Sequence, residues 1–95
     1  MIYKLKFLPA AKKEWDKLAE PLKNQFKNKL AEKVENPDVP SAKLKGYNSV
    51  YKIKLRIARY RLAYEVIDNE IVIYVLAVDK RDKNAIYKKL ASRVV

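Results

Sequence analysis

The sequence predicts an α+β fold: an N-terminal strand, a two-helix hairpin, a three-stranded antiparallel meander and a C-terminal helix. Three patterns carry the prediction. Apolar and charged residues alternate in residues 2–7 and again within Val50–Ile57. Apolar residues recur every three or four positions between Ala11 and Val34. Two further segments rich in β-branched and aromatic residues, 60–67 and 71–78, then follow in close succession.

In the first segment Tyr3, Leu5 and Phe7 share one side and Ile2, Lys4 and Lys6 the other, the period of a half-exposed strand. Pro9 stands where a helix can start, because the first turn needs no amide donor there. Ala11, Trp15, Leu18 and Leu22 form one helical series and Leu22, Phe26, Leu30 and Val34 a second, so two helices are expected to part near Pro21. Asn36-Pro37 stops the second helix, since the residue before proline is driven from the helical region, and a loop runs on through Pro40 and Ser41. Gly46, the only glycine, precedes the sheet-forming half. Val50–Ile57 then sets Tyr51, Ile53, Leu55 and Ile57 against Lys52, Lys54 and Arg56. Tyr60–Ile67 and Ile71–Val78 complete the meander, joined by a two-residue turn at Asp68-Asn69. Asp82 is positioned to cap a last helix carrying Ile86, Leu90 and Val94 on one face.

The 95 residues suit one domain, 1–95, and their 49% hydrophobic content suffices for a core. The absence of cysteine excludes disulfides, iron–sulfur clusters and a thiol nucleophile; the absence of histidine removes the usual zinc ligand and the usual base near neutrality. The longest apolar run, Ile71 to Val78, is far short of the about 18 residues that span a bilayer, and the first residues lack the apolar stretch and cleavage site of a signal-peptide pattern. A cytoplasmic protein without membrane contact is expected. Twenty-two Lys and Arg against eleven Asp and Glu leave a formal charge of +11, which calls for a polyanionic partner. Nucleic acid fits better than a membrane surface, because the informative cations lie on a strand pattern; an acidic protein is the other candidate. Scattered lysines such as Lys17, Lys23 and Lys33 need no role beyond solubility.

Antiparallel neighbours share faces, so the charged sides of 50–57 and 60–67 must meet if their apolar sides do. With the tightest loop, Ala58-Arg59, Arg56 would oppose Arg61, Lys54 would oppose Ala63 and Lys52 would oppose Glu65; a four-residue loop would keep the same faces. Like charges facing one another destabilise a sheet, and Glu65 cannot offset them all. Across the next turn, Ile71, Ile73 and Val75 join the first core while Val72, Tyr74 and Leu76 fall on the cationic side, where the C-terminal helix is the element left to cover them. That helix carries Tyr87 toward the cations, and Lys80 and Arg81 would border the same hollow. Tyr87 has two readings at this point: a ring at the edge of the core, or a ring in the hollow.

Cations beside an exposed tyrosine suit single-stranded RNA, whose phosphates they hold and whose bases the ring stacks. RNA also brings its own nucleophile, the 2′-hydroxyl, so cleavage needs only a base, charge stabilisation and an acid for the leaving 5′-oxygen, with no metal or small-molecule cofactor. Without histidine the base falls to Lys, Tyr, Asp or Glu. A free lysine is neutral in about one molecule in two thousand at pH 7, a fraction that neighbouring cations raise and RNA phosphates lower. Arg61 and Arg81, too basic to be ready acids, read most simply as phosphate clamps.

KLKGYNSVYKIKLRIARYRLAYEVID (Lys43–Asp68), VDKRDKNAIY (Val78–Tyr87) and the KEW of Lys13–Trp15 together resemble the RelE toxins of bacterial toxin–antitoxin pairs, over nearly the whole chain. The resemblance implies the RelE/ParE-like microbial RNase fold. It implies a metal-independent endoribonuclease that cuts mRNA in the A site of the ribosome and is held inactive by a cognate RelB-like antitoxin. By the same likeness Lys54 is the base and Arg81 the acid, Lys52 and Arg61 stabilise the transition state, and Tyr87 orients the base. Lys45, Arg56 and Lys83 are expected to make further RNA contacts, to mRNA or rRNA. The chain departs from the pattern at Ile57-Ala58-Arg59, which lacks the glycine some relatives carry, and at Lys83, where an arginine can occur. The antitoxin is expected to wrap the basic surface and displace or cover the last helix. The alternatives are a ParE-like DNA gyrase inhibitor, since fold does not dictate function, and a non-catalytic RNA-binding module.

Overall fold

A computed structural model of the chain describes residues 2–37, 43–44, 46–47, 49–55, 57–80 and 85–93. The elements are β1 (Lys4–Phe7), α1 (Pro9–Asp16), α2 (Glu20–Lys33), β2 (Val50–Leu55), β3 (Tyr60–Ile67), β4 (Val72–Lys80) and α3 (Ala85–Arg93), in the expected order. They form one four-stranded sheet of order β1-β4-β3-β2, an antiparallel meander with β1 added parallel to β4. Among the described residues no helix is long and apolar enough to cross a membrane.

Proline explains both helix starts. Pro9 opens α1 and Pro21 lies in the first turn of α2, where its missing N–H costs nothing. The break therefore falls at Lys17–Ala19, ahead of Pro21, with the Lys17 and Leu18 amides returning to Glu14 and Trp15 carbonyls. α1 and α2 bury Ala11, Trp15, Phe26 and Leu30 against Tyr51, Ile53, Leu55, Leu62, Tyr64, Val66, Ile73, Val75 and Val78. Trp15 is the hub: its ring lies 5.3 Å from that of Phe7 and 6.1 Å from that of Phe26. Each such aromatic contributes about 1.5–3 kcal/mol by leaving water. Tyr64, fully buried, stacks on Tyr51 at 5.6 Å and donates its hydroxyl to the Pro37 carbonyl at 2.9 Å, so no polar group is stranded there.

The opposite face carries a smaller core of Leu44, Val50, Ala63, Leu76, Ala77 and Leu90, with Leu90 supplied by α3. The C-terminal helix thus covers the second face, as its amphipathic spacing implies. Asp82, Val94 and the side chain of Ile86 lie outside the described residues.

Both hairpins differ from the tight-turn expectation. Leu55 pairs with Tyr60 and Ile67 with Val72, leaving connections of four residues, not two. Arg59 (φ 57) and Ile71 (φ 54) occupy the left-handed region that glycine or asparagine would take in a shorter turn. Ile71 consequently sits in the turn and not in the core, and β4 runs from Val72 to Lys80. Each register shift is an even number of residues, so the faces of β2 and β3 are preserved.

A third difference changes a face. Tyr64 pairs with Val75 but Ala63 with Ala77, so Leu76 is an extra residue bulged into β4. Beyond it the alternation is reversed: Val78 joins the large core, and Asp79 turns toward α3.

Candidate functional site

Three cross-strand rows line the α3 face of the sheet. Lys54 pairs with Arg61 and Arg61 with Asp79; Lys52 pairs with Ala63 and Ala63 with Ala77; Val50 pairs with Glu65 and Glu65 with Tyr74. The alternation of β2 puts both lysines on one face, and the four-residue hairpin brings Arg61 directly opposite Lys54. The expected pairs Arg56–Arg61, Lys54–Ala63 and Lys52–Glu65 are each displaced by two residues, yet Lys52, Lys54 and Arg61 still share a surface. All three are half-buried. The Lys52 row continues in two alanines, Ala63 and Ala77, both fully buried in the small core with Leu44 and Leu90.

Arg61 is under tension. Its Nε is buried and has no hydrogen-bond partner among the described residues. A buried donor left unpaired costs about 1–3 kcal/mol.

The row ends in a carboxylate that sequence reasoning did not place. Asp79 accepts a salt bridge from Lys89 of α3 at 2.9 Å, and Lys89 also pairs with Glu14 of α1. Glu14 accepts the Val78 amide at 3.1 Å and Arg93 at 2.9 Å, and Arg93 donates to the Leu76 carbonyl at 3.1 Å. Burial opposes ionisation of Glu14, but hydrogen bonds from Arg93, Lys89 and the Val78 amide outweigh it and hold the carboxyl below its ordinary range. Burial likewise opposes the charge of Lys89, and its hydrogen bonds to Glu14 and Asp79 reverse that and push its ammonium up. Glu65 lacks such compensation, and burial pushes its carboxyl up. The one available signal for Glu14 was a carboxylate beside the buried Trp15; Asp79 was hidden because the bulge decides which way it points.

The remaining expected site residues divide as follows. Lys80 pairs with Tyr60 and falls on the face of the large core, because the bulge inverts the strand beyond Leu76; it does not border the hollow with Asp79. Tyr87 lies on α3 one turn before the buried Leu90, and its side chain is outside the described residues, as are Lys45, Arg56, Arg81 and Lys83. Among the described residues no three Asp, Glu, His or Cys side chains converge as ligands for a cation.

With this arrangement established, similarities to known proteins gain a structural meaning. A family model described as the ParE toxin of type II toxin–antitoxin systems, parDE, matches residues 5–85. The mRNA interferase toxin RelE of Escherichia coli strain K12 is 42% identical over 95 residues, covering all of both chains. The free E. coli RelE toxin, solved as an arginine-to-alanine double mutant, superposes with a TM-score of 0.92 at 41% identity, again covering both chains fully. The same mutant bound to a peptide of the antitoxin RelB superposes at 0.84 with 41% identity and full coverage.

Proposed function

We propose that the chain, which belongs to the RelE/ParE family of type II toxins, is an endoribonuclease that cuts mRNA in the ribosomal A site and is neutralised by a RelB-like antitoxin. Residues 1–95 work as one toxin domain in the cytoplasm. One observation carries the reading: Lys52, Lys54 and Arg61 share the α3 face of the sheet in a chain 42% identical throughout to an mRNA interferase.

The chemistry follows from what RNA supplies. Lys54, as a neutral amine, takes the proton of the 2′-hydroxyl, whose oxygen attacks the adjacent phosphorus. Lys52 and Arg61 stabilise the negative charge that gathers on the phosphoryl oxygens. The bond to the 5′-oxygen breaks as Arg81 delivers a proton to it, leaving a 2′,3′-cyclic phosphate and a 5′-hydroxyl. Tyr87 orients the base beside the scissile phosphate. No step uses a metal. Lys45, Arg56 and Lys83 hold further phosphates, and the ribosome supplies the in-line alignment that a small open surface cannot impose on free RNA.

The family model's description as a ParE toxin favours a second reading, inhibition of DNA gyrase. Primer-extension mapping of mRNA in a purified translation system, run beside a supercoiling assay, separates the two. Codon-positioned cuts that disappear on adding the antitoxin support the interferase; intact mRNA with inhibited supercoiling supports the gyrase inhibitor. Intact mRNA with neither effect leaves an RNA-binding module.

A further inference from the structure

We propose that Glu14, far from the cation row in sequence and on the helix pair that serves the opposite core, is a positioning residue for the RNA site. Through Lys89 and Arg93 it sets where α3 comes down on the sheet, and so where position 87 stands relative to Lys54 and Arg61. The functional part of this inference rests on the proposed endoribonuclease reading.

The geometry is that of a clamp across an open strand edge. β1 covers the edge of β4 only along Val72–Val75, and beyond it the Val78 amide would face outward. Glu14 Oε1 accepts that amide at 3.1 Å, which locks the carboxylate to the strand. Arg93 then grips it with both ends of its fork, Nη1 to Oε1 at 2.9 Å and Nη2 to Oε2 at 3.3 Å. Arg93 Nη1 also reaches the carbonyl of the bulged Leu76 at 3.1 Å. Lys89, one turn earlier, bridges Glu14 to Asp79, the row-mate of Arg61. A chain of ion pairs therefore runs from Asp79, the cross-strand neighbour of Arg61, through Lys89 and Glu14 to Arg93.

Two considerations make this a device for placement more than for stability. Half-buried ion pairs contribute little net free energy, because desolvation consumes most of the attraction, yet a two-pronged arginine fixes direction. Moreover, the charged bonds at Lys89 and Arg93 fall on either side of the buried Leu90, so they add direction to an apolar contact that has none of its own.

The test is single-turnover mRNA cleavage on programmed ribosomes at saturating toxin, with Glu14→Gln introduced alone and into a Tyr87→Ala chain. It is paired with hydrogen exchange of the free protein. Glu14→Gln is expected to slow cleavage roughly ten- to a hundredfold, as misplacement of a reacting group does. It should add nothing once Tyr87 is absent. The α3 amides should exchange faster while β3 and β4 keep their protection. Lys89→Met and Arg93→Met, which spare the Val78 amide bond, should act in the same direction. Equal slowing in both backgrounds, or unchanged α3 exchange, would overturn the proposal. Should the unsubstituted chain cut no mRNA, the endoribonuclease reading fails, and the exchange data alone decide whether Glu14 positions α3.

Discussion

Replacing Arg61 by methionine should make the protein more stable and less active at once. Methionine retains an unbranched apolar stem of similar reach but removes the buried Nε that has no partner among the described residues. An unsatisfied buried donor costs about 1–3 kcal/mol; because the residue as a whole is only half-buried, the low end, about 1 kcal/mol, applies. Removing the charge opposite Lys54 gains a few tenths more, and losing the attraction to Asp79 across the next strand returns a similar amount. The net expectation is a gain of about 1 kcal/mol, or roughly 4–8 °C in Tm for a domain this size. Thermal unfolding by circular dichroism, with urea titration to give the free energy, reads it directly. Single-turnover cleavage should meanwhile fall by at least about a hundredfold, the effect of losing one donor to a developing oxyanion. A lower Tm in the variant would refute the argument that the cation row is held against the preference of the fold.

Substituting Lys54→Ala should depress the cleavage step far more than ribosome binding; equal losses in a binding assay and a single-turnover assay would make it a phosphate contact. Glu65, pushed up by burial, binds its proton more tightly in the folded chain, so it costs stability as pH rises above the ordinary glutamate value of 4.5. Glu65→Gln should therefore be more stable than the parent at neutral pH, with the gap closing below that value in a series of melting curves. Tyr64→Phe should lose about 1 kcal/mol, the net worth of the hydroxyl bond to Pro37, and leave a buried carbonyl short of its donor. An unchanged urea midpoint would show that this bond contributes nothing.

The faces of β2 and β3 were legible from residue order because alternation is local: Lys52 and Lys54 must lie on one side of any strand that buries Tyr51, Ile53 and Leu55. The tightest turn at each hairpin is two residues too short, but that left those faces intact, which is why the cation surface was found with the wrong partners; the four-residue loop also considered for the first hairpin is the one observed. β4 was different. From Val72 to Val78 both of its faces are apolar, so no break in alternation marks the bulge at Leu76. Lys80 was consequently assigned to the hollow and Asp79 went unnoticed. Glu14 was invisible for another reason, since its partners lie 64 to 79 residues away.

What residue order determined by itself was therefore the sequence of elements, the buried side of β2 and β3, and that Lys52, Lys54 and Arg61 share a surface. Tertiary structure alone decided which residues sit opposite one another, that β1 runs parallel beside β4, and that one extra residue turns Asp79 toward α3. The division is physical. A side chain's direction follows from its neighbours in the chain, whereas register and edge contacts are selected by the summed packing of segments far apart in it.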